Sequence, residues 1–199
     1  MTEHPPIISS DNVIFSNRKT PFRQIREVPE YWFQDIMSGD RVIDIGANVG
    51  AFCIRAARMT PRVTAVEPVS CSILEENIRS NNVSVRVIEA ALGDGKPKEI
   101  CWDDSRVTVP SFTLKAIKEM AGGCDFLKCD CEGGEWTIVP SDLSGVRRIE
   151  MELHMPPISG IPNPALLDYI SQHYDFEIER KPCHDVMGVM GILHAKRKT

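Results

Sequence analysis

The apolar run Val42–Ile45 stops at a glycine and gives way, within a few residues, to apolar positions at helical spacing: Val49, Phe52, Cys53, Ala56 and Ala57. The turn between them is Gly46-Ala47-Asn48-Val49-Gly50, and Asp44 stands inside the run that feeds it. A second run, Arg62-Val63-Thr64-Ala65-Val66, ends in Glu67. Strand, glycine turn, helix and strand make a βαβ unit, which forces parallel strands and a right-handed crossover. Few other constraints on the chain are as strong, because such a sheet binds ligands in the crevice outside its carboxyl ends.

The alternation continues downstream. A helix is expected over about residues 70–80, with Leu74 and Ile78 inward and Asn81-Asn82 at its stop. A strand over 83–88 follows, then a turn at Gly93-Asp94-Gly95, a short strand over 99–103 and a helix over 113–121 ended by Gly122-Gly123. Residues 125–129 read as the fourth strand, 135–139 as a short helix and 146–154 as the fifth strand. Asn163 is placed to cap a helix starting at Pro164. The last two segments, 175–180 and 186–196, have no helix between them and read as an antiparallel pair. The fold class is therefore α/β: a doubly wound, Rossmann-like, seven-stranded and mostly parallel sheet with a C-terminal antiparallel pair. Before it, residues 30–37 read as a helix and residues 1–29 as an arm, so the domain is expected to span 30–199.

The turn also narrows the ligand. Dinucleotide sites favour G-x-G-x-x-G, in which the middle glycine lets the backbone touch a pyrophosphate, but here position 48 is Asn and position 53 is Cys. Asp44 would repel a pyrophosphate and suits a ligand bearing an ammonium and a sulfonium. A carboxylate at position 67 matches a ribose diol, since its two oxygens can each accept a hydroxyl. S-adenosyl-L-methionine presents all three groups.

Composition removes several function classes. The chain has 199 residues, 42% hydrophobic and 26% charged, enough for one full core. A net charge of −5 disfavours nucleic acid as a partner. No run approaches the roughly 18–20 apolar residues of a membrane span, and the N-terminus lacks a signal peptide's pattern, so a cytoplasmic location is expected. The seven cysteines are odd in number and lie mostly within apolar patterns, which reads as reduced thiols. Cys129, Cys131, His154, Cys183 and His184 lack the spacing of a metal set, and no metal is expected. The basic run Arg18, Lys19, Arg23 and Arg26 reads as solvated charge.

Five segments together resemble a known family: residues 44–50, Glu67-Pro68, Ala91-Leu92-Gly93-Asp94, Asp125-Phe-Leu-Lys-Cys-Asp-Cys-Glu-Gly-Gly-Glu135 and Glu150-Met-Glu-Leu-His154. They resemble the signatures of the FkbM family of S-adenosylmethionine-dependent methyltransferases, over about residues 38–196. The fourth-strand segment is the most specific, following D-F-[LI]-K-[ILM]-D-[VI]-E-G-x-E and departing only at Cys129 and Cys131. The likeness implies O-methylation of a small-molecule hydroxyl, on a sugar or natural product. It implies cofactor contacts at Asp44, Gly46, Asn48, Gly50, Glu67, Pro68, Ala91 and Asp130.

Asp130 leaves the fourth strand at the switch point and is a candidate to face the transferred methyl group and the acceptor. Glu132 adjoins it. Glu152 and His154 alternate on one face of the fifth strand, and a neutral His154 with an ordinary pKa near 6.5 is a candidate base. The region before residue 38 is too short for a separate acceptor domain, so a homodimer is the expected assembly. Two rival readings stay open: an RNA (tRNA) methyltransferase, suggested by the basic arm, and a non-catalytic S-adenosylmethionine-binding module.

Overall fold

A computed structural model describes residues 5–17, 26–102, 105–180 and 188–199. Its main sheet has seven strands: β1 (Val42–Ile45), β2 (Val63–Val66), β3 (Arg86–Ile88), β4 (Phe126–Cys129), β5 (Arg148–His154), β6 (Tyr174–Glu179) and β7 (Val189–Arg197). Their order across the sheet is β6-β7-β5-β4-β1-β2-β3. The five strands from β3 to β5 run parallel, and β7 is antiparallel to both its neighbours. Chain order reverses between β1 and β4, which is where this class of sheet opens its crevice.

Alternation along the strands feeds two cores. Ile43, Ile45, Leu127, Cys129 and Met151 point to the face covered by α3 (Leu114–Ala121) and α4 (Pro164–His173). Val42 and Phe126 point to the other face, under α1 (Ala51–Ala57) and α2 (Cys71–Ser80). Thr113 caps α3 by accepting the Ala116 N–H, and Asn163 caps α4 through Ala165 as expected.

The segment before β1 differs from expectation. Instead of a helix over 30–37 there is a single 3₁₀ turn, Phe33–Asp35. Its residues are tied down individually: the Tyr31 hydroxyl donates to Asp130, and the Trp32 N–H donates to Glu150 Oε2 at 3.1 Å. Those bonds replace the intrahelical ones. Further upstream, Ile7–Ile8 pairs with Ile14–Phe15, and Phe15 is fully buried. Asn77 and Asn81 of α2 and its stop accept the Ser16 and Ile14 N–H groups, while Arg55 pairs with Asp11 at 2.8 Å.

A hairpin of Lys98–Trp102 with Ser105–Val109 follows the turn at Gly95. Only its first strand was expected from the sequence. Strand β3 begins at Arg86 rather than at Val83, and the expected strand over 186–196 overlaps residues 181–187, outside the described residues.

Candidate active site

The carboxyl ends of β1, β2 and β4 surround a cleft of about 330 Å³, within the size range of small-molecule sites. Gly46, Asn48, Glu67, Pro68, Ala91, Asp130 and Glu132 all line it. Glu30 of the N-terminal segment and Lys98, Ile100 and Cys101 of the hairpin close its sides.

Gly46 is required twice over. It has φ +72°, and a Cβ there would stand 1.6 Å from the Asp130 carbonyl oxygen. The turn can thus lie directly against the end of β4. Gly50 lies away from the cleft: with φ +93° it starts α1, and a Cβ would press on Leu74 at 2.7 Å. Asn48 also adopts a left-handed conformation, φ +50°, tolerated by Asn. That turns its N–H toward Glu67.

Glu67 is nearly buried and holds backbone on both oxygens. Oε2 accepts the Asn48 N–H at 2.9 Å, while Oε1 accepts those of Val69 at 2.8 Å and Ser70 at 2.9 Å. Two of those donors lie at the start of α2, where free N–H groups favour an anion. A carboxylate offers about four acceptor positions, so roughly one remains for a ligand, on Oε2. The expectation that Glu67 accepts both hydroxyls of a diol therefore changes: the fold itself uses Oε1.

Asp44 has no exposed surface and is not among the cleft walls. Strand register explains its place. Lys128 of β4 pairs directly with Asp44 of β1, which puts both on the α1 face. Their charges meet at 3.1 Å, and Oδ2 of Asp44 accepts the Cys53 N–H. The Lys128 ammonium also donates to the Gly46 carbonyl at 2.9 Å and lies 3.8 Å from Asp130. Burial opposes its charge, but Asp44 and Asp130 outweigh that and hold the ammonium above its ordinary range. Asp44, expected from sequence to contact the ligand, is thus held in a buried ion pair under the turn.

Lys128, which does line the cleft, was not among the expected site residues. Its signal was in plain view: a lysine in an otherwise apolar strand core, between two apolar neighbours.

Asp130 gathers several partners. Its Oδ2 accepts from Tyr31 at 2.9 Å, and Oδ1 lies 3.9 Å from Nε2 of His154. Burial raises its pKa, yet the charges of Lys128 and His154 prevail and hold it below the usual carboxylate range. His154 ends β5 at a register shift, which re-aims the last residue of the strand. Its ring is buried behind the cleft wall. Nδ1 is 3.1 Å from Glu135 Oε1, and Nε2 is 3.3 Å from Glu152 and 3.4 Å from Glu132.

Burial works against charge on the His154 ring, but hydrogen bonds to Glu135 and Glu152 and the nearby carboxylates overcome it, to a pKa of about 11. The ring is therefore an imidazolium at neutral pH. Four carboxylates surround the ring that sequence spacing alone left unpartnered, and they favour its protonated form over the neutral base expected from sequence. Glu135, buried and accepting the His154 and Gly133 N–H groups, supports the ring. Cys129 and Cys131 bring their sulfurs to 3.6 Å. Cys183 and His184 lie outside the described residues, as do Arg18, Lys19 and Arg23.

A parallel sheet in this strand order, with two C-terminal antiparallel strands and a cleft at the β1/β4 switch point, defines a Rossmann-like methyltransferase fold. The sequence profile of the methyltransferase FkbM domain matches residues 44–178, and the chain belongs to that family. Among solved structures it is similar to methyltransferase FkbM from Methylobacillus flagellatus KT, with 14% identity and a TM-score of 0.56 over 80% of this chain and 44% of that one. It is similar to a precorrin-6y C5,15-methyltransferase from Geobacter metallireducens GS-15, at 14% identity and a TM-score of 0.54 over 98% and 100% of the two chains. An rRNA methylase from Streptococcus thermophilus aligns at 7% identity and a TM-score of 0.55, over 83% and 92%. These likenesses establish the fold, and the chain spans less than half the length of the Methylobacillus protein. No curated protein matches the sequence.

Proposed function

We infer that the protein is an S-adenosyl-L-methionine-dependent methyltransferase acting on a hydroxyl of a small molecule. The observation that supports this best is the convergence of the 46–49 turn, Glu67, Ala91 and Asp130 on one cleft, all inside the matched FkbM domain. The cleft fits the cofactor in three respects. Glu67 Oε2 keeps an acceptor position for a ribose hydroxyl, Ala90 and Ala91 leave flat apolar space for an adenine, and Asp130 supplies negative charge. Bound there, S-adenosylmethionine supplies an electrophilic methyl group on a sulfonium centre.

The chain's own part is to position and to exclude water. Lys128 neutralises Asp44 beneath the turn, so the negative charge facing the cleft comes from Asp130 together with Glu30, Glu67 and Glu132. Glu132, at the cleft edge, and Asp130 are placed to accept a hydrogen bond from an acceptor hydroxyl. His154 holds that carboxylate pair in place as a cation. Orientation alone is worth on the order of 7–11 kcal/mol in well-aligned reactions, so no strong base is needed.

Isothermal calorimetry with S-adenosylhomocysteine tests the binding half. Glu67→Gln is expected to weaken binding at least about tenfold, through a lost charge-assisted acceptor and a loosened turn. Unchanged affinity would refute the assignment of Glu67. For the acceptor, purified protein is incubated with isotopically labelled donor and cell extract. Label in small molecules supports the reading, label confined to RNA overturns the acceptor class, and no label in any fraction overturns catalysis.

A further inference from the structure

Three donor groups meet beside the cleft, and the methyl-transfer reading gives no role to one of them, Glu152. A carboxylate oxygen of Asp130, one of Glu152 and a ring nitrogen of His154 lie within 4.8 Å of one another. Six ligands at about 2.2 Å around a small divalent ion stand about 3.1 Å apart when adjacent and about 4.4 Å when opposite. The observed separations of His154 Nε2 from Glu152 (3.3 Å) and from Asp130 (3.9 Å) fall in that range.

The second coordination layer is built as well. Glu135 is fully buried, accepts the Gly133 and His154 N–H groups and faces Nδ1 of His154 at 3.1 Å. A carboxylate holding the far nitrogen of an imbedded imidazole, so that Nε2 points into a carboxylate pair, is the usual support of a metal-ligating histidine. The register shift at the end of β5 serves the same aim by turning His154 inward. Asp130 and Glu152 also hydrogen-bond one another, a contact of two acids that a cation between them would relieve.

We propose that Asp130, Glu152 and His154 bind one divalent cation of the Mn²⁺ or Mg²⁺ type at the wall of the cleft, with Glu135 as the positioning residue. Two carboxylates and one imidazole suit an ion of that hardness better than a thiolate-seeking one. As the ion binds, His154 releases its Nε2 proton and the Asp130–Glu152 pair releases the proton it shares, both to solvent, so the net charge of the cluster is unchanged. Three protein ligands leave roughly three positions of an octahedron open, on the side where Asp130 meets the cleft. An acceptor with two neighbouring oxygens, such as a vicinal diol, a catechol or a 2-hydroxy acid, would fill two of them. That acceptor class rests on the methyltransferase reading, whereas the ion site rests on the geometry alone.

Electron paramagnetic resonance of Mn²⁺ tests the site on the whole chain, stripped of metal with a chelator. One Mn²⁺ per chain is expected, with a Kd below roughly 100 μM and a ¹⁴N coupling from the imidazole in the spin-echo spectrum. Glu152→Gln and Glu135→Gln are each expected to weaken binding about 10–100-fold, with melting in chelator recorded for both. Absence of uptake at about 1 mM Mn²⁺, or uptake without nitrogen coupling, overturns the proposal, and this needs no variant. Unchanged affinity in a folded Glu152→Gln protein overturns it too. Mn²⁺ binding without S-adenosylhomocysteine binding would sink the methyltransferase reading and leave the ion site standing, while the opposite result would do the reverse.

Discussion

Lys128 shows how one side chain can decide the state of several others. Its ammonium sits between Asp44 and Asp130, and the backbone carbonyls of Ile45, at the end of β1, and of Gly46 accept from it. Removing it leaves Asp44 buried with no cation, a loss of about 3–5 kcal/mol for a broken buried pair. Lys128→Met is therefore expected to lower stability by that order in urea unfolding. The double variant Asp44→Asn with Lys128→Met should recover most of it, because an uncharged pair needs no compensation. A double variant no more stable than Lys128→Met would show that the cost is lost packing and not stranded charge. Neither member of the pair announces this from its own position in the chain: residues 44 and 128 meet only through the register of β1 with β4.

At the scale of elements, the stretch from Val28 to Ile36 is a strap and not a helix. It crosses a polar row on one sheet face, made by Asp44, Lys128, Glu150 and His194 in neighbouring strands. Tyr31 donates to Asp130, the Trp32 ring stacks on His194 at 4.1 Å, and Arg148 lies 5.0 Å from the Trp32 ring centre. The apolar positions that suggest a helical face are thus aromatic covers for buried charge. Trp32→Ala is expected to cost about 1–3 kcal/mol by denaturant unfolding, from lost stacking and cation–π contact. It should also raise hydrogen exchange at Tyr31 and Phe33 more than at β4. A uniform rise across the sheet would mean that the strap is not a separate unit.

For the molecule as a whole, the end of the sheet opposite the cleft is held by Arg41 and Asp125. The guanidinium bonds both carboxylate oxygens, at 2.8 and 2.9 Å, linking the entrance to β1 with the entrance to β4. These hydrogen bonds hold Asp125 below the usual carboxylate range. A depressed folded-state pKa contributes stability that is complete above the unfolded value and disappears as pH falls through the folded one. Asp125→Asn should therefore destabilise the protein at pH 7, by about 0.5–1 kcal/mol for so exposed a pair. The difference from wild type should shrink below about pH 4. A constant difference from pH 7 to pH 3 would remove the ion pair as its cause. Among the described residues no helix is long and apolar enough to cross a membrane.

What could be read from the chain alone was whatever depends on neighbours in sequence. The βαβ order, the glycine turn, the cap at Asn163 and the antiparallel finish are short-range patterns, and the family signature runs along one strand and its exit. Which groups carry charge, and which oxygens stay free for a ligand, could not be read that way. Glu67 has one open acceptor position only because Asn48, Val69 and Ser70 arrive from two different elements. The His154 pKa is raised because Glu135, Glu152 and Glu132 surround the ring after folding. Periodicity determines where a side chain points, but its protonation and its remaining valence depend on burial and on distances, which exist only once the strands are in register.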